Sequence, residues 1–147
     1  MEIKALLATL NETLREVSAK LARSDAVLIR MREELVTFRD ILRHAKDREI
    51  RANHEYDEVL RNYRELLANS SSVPKSYPVI EKIGQLSAEQ TRTHDEHIAA
   101  KEAVRKYQEE VRVAELGLAI EESNRKSLQN ACNDLTWQIK KLGGPRS

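Results

Sequence analysis

No proline or glycine occurs in the first 73 residues, and through that stretch the apolar residues recur by alternating steps of four and three. The series starts Ile3, Leu7, Leu10, Leu14, Val17 and Leu21. It continues through Leu28, Met31, Leu35, Phe38, Leu42 and Ala45 to Ala52, Tyr56, Val59, Tyr63 and Leu66. Only Ser24 and Glu49 break it, so 17 of 19 positions are apolar, where a 40% apolar composition supplies about eight by chance. A step averaging 3.5 residues keeps one face of a helix turned toward a partner helix, so the pattern predicts a coiled coil. The core of such a chain is a line instead of a sphere. Six aromatic residues and a charged fraction of 33% agree with that, because they leave little material for a globular interior.

The punctuation divides one predicted coiled-coil unit, 1–147, into two helices. Helix one is expected over 3–68 and the linker over 69–77, where Asn69, three serines and Pro74 stop the helix. Helix two is expected over 78–142. It begins either at Pro78, which suits a first helical turn, or at Ser87, where Ser87-Ala88-Glu89-Gln90 reads as a capping box and Gly84 weakens the preceding turn. Gly143-Gly144-Pro145 opens the tail, 143–147.

The second seam runs through Ala100, Val104, Tyr107, Val111, Ala114 and Leu118, then Leu128, Cys132, Leu135, Ile139 and Leu142. Folding the two seams together antiparallel, with facing residue numbers summing to 145 or 146, makes them begin and end together. Ile3 then faces Leu142, Leu14 faces Cys132, and Leu66 faces Val79. Polar exceptions align as well: Ser24 with Glu121, Glu49 with His97, Tyr56 with Gln90, and Ala52 with Thr93. Mismatched exceptions would each set an unpaired polar group against hydrocarbon, at about 1–3 kcal/mol. Arg125 lands on Leu21, with its head expected to reach Glu121 or water. The fold class predicted is therefore all-α, an elongated antiparallel coiled-coil helical hairpin that packs with further helices in a bundle or complex. Its rival is a parallel dimer. Sixty-odd helical residues make a rod on the order of 100 Å long.

Several residues are not used by the seams. Ile29, Val36 and Ile50 lie one place outside the first seam, and Val113, Leu116 and Ile120 lie on the outer side of the second, around Gly117. We read Ile29, Val36, Val113, Leu116, Gly117 and Ile120 as one docking patch for a further helix, with Gly117 permitting close approach. Trp137, the lone tryptophan, points away from the seam, either as an interface anchor or as a cap over aliphatic stems. Glu49 and His97 are expected to pair as a polar layer that sets the register.

Little in the chain suggests chemistry. His94 and His97, three residues apart, have metal-like spacing, but no Glu-x-x-His accompanies them. Phosphate-loop, nucleophile-elbow, Cys-x-x-Cys and His-Glu-x-x-His motifs are lacking, so no enzyme, cofactor, metal or small-molecule substrate is expected. A net charge of +1 disfavours nucleic acid, and the basic run from Arg30 to Arg51 is interleaved with Glu and Asp. The lack of a long apolar run predicts no membrane insertion, and the lack of a leader predicts an intracellular protein, cytoplasmic or nuclear. Cys132 is expected to be a buried structural thiol. The function expected is a non-enzymatic structural or adaptor subunit in a cytoskeletal, kinetochore-like or trafficking complex. Its partners would be other coiled-coil proteins or a second copy of itself. The alternative is a stalk or chaperone-like hairpin of a secretion, export or ring-shaped machine.

Overall fold

The computed structural model describes residues 2–70 and 77–143. Two helices make up nearly all of them, α1 (Glu2–Ser70) and α2 (Tyr77–Lys141), and no strand occurs among the described residues. The helices pack against each other as an all-α hairpin. Glu2 in the first turn of α1, and Lys140 and Lys141 in the last turn of α2, each oppose the local end of the helix dipole. Tyr77 opens α2, so Pro78 sits in the first turn, where its missing N–H costs nothing. Gly84 and Ser87 lie inside the helix. Most of the predicted linker, residues 71–76, lies outside the described residues, as do 144–147 of the tail. Gly143 leaves α2 with φ near +137°, a conformation that side chains with a Cβ rarely adopt. No helix among the described residues is long and apolar enough to cross a membrane.

A glycine seven residues into a helix costs stability unless something needs the space. Nothing lies within 4 Å of where a Cβ on Gly84 would stand. Gly84→Ala should therefore stabilise the fold by up to about 1 kcal/mol, read as a higher urea midpoint. A lower midpoint would show that the gap at Gly84 is occupied.

Two compact units emerge from the packing: Met1–Val36 with Arg112–Ser147, and Thr37–Val111. In the first, rising positions on α1 meet falling positions on α2. Leu7 lies beside Gly143, Ser18 Oγ is 3.7 Å from Cys132 Sγ, Ser24 meets Glu121, and Met31 meets Gly117. The pair is antiparallel. Its buried residues are Ser24, Leu28, Leu35 and Cys132, all predicted seam positions. Ser24 is tolerated there because its hydroxyl donates to Glu121 Oε1 at 2.7 Å, so the two polar exceptions satisfy one another. Arg125 differs from expectation. Its Nε donates to Asp25 on α1 instead of turning to Glu121, which already accepts from Ser24 and from Asn124 Nδ2. Ile3 also departs from the seam pattern, being 58% exposed at the start of α1.

The second unit buries smaller side chains: Ala45, Ala52, Val59, Thr93, Ala100, Val104 and Val111. Thr93 is almost fully covered, and its hydroxyl is satisfied within its own helix by the carbonyls of Glu89 and Gln90 at 2.9 and 3.2 Å. Across the helices Arg92 Nη2 donates to Glu55 Oε1 at 3.1 Å while Nη1 donates to Glu96 at 2.9 Å. The hydrogen bond to Glu55, then that to Glu96, raises the Arg92 guanidinium above its usual value. The group is solvent-exposed, so this clasp orients the helices more than it stabilises them.

Candidate interaction surface

The outward residues singled out by the sequence are exposed as expected. In the first unit Ile29, Val36, Val113, Leu116 and Ile120 are each between 52% and 68% exposed. They do not form a single patch. Ile29 and Val36 follow seam positions by one place, whereas Val113 and Ile120 follow seam positions by two. At 3.6 residues per turn those offsets emerge on opposite flanks of an antiparallel pair. The flank with Ile29 and Val36 carries the Arg32–Glu122 ion pair, 3.6 Å long. The other flank carries Gly117 and Met31. The two offsets, taken with the antiparallel orientation, separate the residues that were expected to form one docking patch.

Gly117 also has a role inside the hairpin. A Cβ there would lie 3.2 Å from Met31 Cε, so the bare backbone accommodates a methionine of the same chain. Close approach was the expected reason for the glycine; the approaching group belongs to α1. In the same unit, a groove lined by Lys20, Val27, Glu121 and Leu128, among others, is open to solvent.

Trp137 is 60% exposed, and Lys141 Nζ lies 4.6 Å from its ring centroid. The ammonium one turn away covers part of the indole by a cation–π contact and leaves the rest free. Cys132 is buried, with Ser18 Oγ 3.7 Å from its sulfur.

The polar layer of the second unit is arranged differently from its sequence reading. Among the described residues no ion pair joins Glu49 to His97. The His97 imidazole stacks on Tyr56, with centroids 5.6 Å apart and planes within 13°, while His94 tilts against the same ring at 5.4 Å. His97 Nδ1 is buried with no hydrogen-bond partner, and so is Asn53 Oδ1. Tyr56, expected opposite Gln90, lies against both histidines instead, so the facing layers here depart from the expected sums of 145 to 146. The two histidines do converge, but on an aromatic ring. Among the described residues no three His, Cys, Asp or Glu side chains gather closely enough to hold a metal ion. Asn53 escaped the sequence reading because it lies one place beyond seam residue Ala52, where an asparagine ordinarily faces water.

No protein-family model matches the chain, and neither a curated protein nor a solved structure shows significant similarity to it.

Proposed function

We propose that the chain is a non-enzymatic coiled-coil subunit that assembles other proteins and sets their spacing in an intracellular complex of the cytoskeletal, kinetochore-like or trafficking kind. One observation carries this reading. The seams of α1 and α2 are consumed by pairing with each other, yet Ile29, Val36, Val113, Leu116, Ile120 and Trp137 remain outside, more than half exposed. A hairpin of this kind offers faces along a helix for partner helices to dock upon. The spacing part of the reading is supported by the length of the two helices, 69 and 65 residues.

The test is to shorten the hairpin without disturbing its register or its outer residues. Removing Leu42–Arg48 together with Ile98–Val104 deletes one seven-residue step from each helix and about 10 Å of rise from each. In cells lacking the chain, this variant should fold by circular dichroism and still crosslink to its partners, but should not restore the assembly. Full rescue by the shortened variant, combined with loss of rescue in folded His97→Ala or Cys132→Ser chains, would replace the spacer reading with a chemical one.

A further inference from the structure

Two buried polar atoms of the second unit, Asn53 Oδ1 on α1 and His97 Nδ1 on α2, have no hydrogen-bond partner in the protein. We infer that they hold one water molecule between them, a polar bridge from helix to helix. The Tyr56 ring fixes where the two side chains stand. Its centroid lies 5.4 Å from that of His94 and 5.6 Å from that of His97, so this turn of α2 runs alongside Tyr56 of α1. Asn53 is about one turn before Tyr56, and His97 is about one turn after His94. In an antiparallel pair a step back on one helix runs beside a step forward on the other, which brings Asn53 opposite His97. The residue numbers agree. Tyr56 with His94 and Asn53 with His97 share a sum of 150, and the same sum marks the Ser18–Cys132 and Asp25–Arg125 contacts of the first unit.

An amide oxygen or a ring nitrogen taken out of water loses hydrogen bonds that the interior must replace. A water molecule fits both ends. It accepts from Nδ1 when that nitrogen carries the ring proton and donates to it when it does not, and in either case a hydrogen remains for Asn53 Oδ1. Ala52, the buried seam residue beside Asn53, contributes only a methyl group, so no long aliphatic chain from that position fills the layer. Buried waters ordinarily take this role between polar groups of the interior. Because the two ends belong to different helices, a slip of α2 along α1 parts them, and the bridge therefore also holds the register of this unit.

Nuclear magnetic resonance on the intact chain reads the water directly. Cross-relaxation from water to the His97 ring proton between the two nitrogens should have opposite signs in the laboratory and rotating frames, as for a water that tumbles with the protein. Asn53→Leu should abolish that signal. Its absence from the parent chain overturns the proposal, and so does a signal that survives Asn53→Leu, because the water is then held by something else or the signal comes from exchange at the ring. Urea titration of Asn53→Leu, His97→Leu and the double variant reads the coupling between the two ends. Each single replacement strands the polar atom opposite and should lower the midpoint, whereas the double replacement strands neither and should lower it by less than the two single losses combined. Additive losses overturn the bridge. Where a single variant does not fold, the measurement on the parent chain decides.

Discussion

Leu28→Ala should lower the stability of the hairpin by roughly 2–5 kcal/mol, whereas Ile29→Ala, one residue away, should change it by no more than about 0.5 kcal/mol. Leu28 is 2% exposed and Ile29 is 58% exposed, so adjacent residues on one helix sit in opposite environments. Truncating Leu28 removes buried methyl groups and leaves a void beneath neighbours held in place by two long helices. Truncating Ile29 removes groups already in water. Urea titrations of the two variants, followed by circular dichroism, measure the difference directly. Similar losses for both would mean that Ile29 is covered in solution, as it would be if its flank were an interface at the concentration used.

Ala100→Leu should destabilise the second unit by about 1–3 kcal/mol, although leucine is the more hydrophobic residue and the position lies on the seam. Ala100 has no exposed surface at all despite carrying only a methyl group. Ala45, Ala52 and Thr93, seam residues of the same unit, are buried as well. A larger side chain there must displace packed neighbours or force itself out of a favoured rotamer. The same substitution at half-buried Ala114 provides the control, since that seam position retains access to solvent. The check is the urea midpoint of each variant. An Ala100→Leu chain more stable than the parent would show that the alanines leave unfilled space.

Both predictions depend on facts of different legibility. That Leu28 is inside and Ile29 outside follows from the seven-residue period alone, because a helix repeats its direction every two turns and one place of offset is about 100°. The ranges of the helices were legible for a similar reason: α1 ends two residues past its expected end, and α2 begins one residue before the earlier of its two expected starts. The Ser24–Glu121 bond was legible too, since two polar residues in otherwise apolar seams have few other places to go.

The complete burial of Ala100 was not legible. An alanine on a seam reads as a weak version of leucine until the neighbouring helix is in place. Gly117 and His97 show the same limit. Their positions on α2 were evident, but Met31 against the one and Tyr56 against the other depend on rotamers of side chains from α1.

Periodicity and punctuation alone determined that this chain is two helices and which face of each is apolar. These are properties of one helix at a time. The tertiary structure decided the register that sets Ser18 beside Cys132 and Tyr56 against His97, that Arg125 turns to Asp25, and that Asn53 and His97 keep buried polar atoms without partners. Each of those depends on the direction and depth at which the second helix meets the first, and a helix of regular pitch carries no record of either in its own repeat.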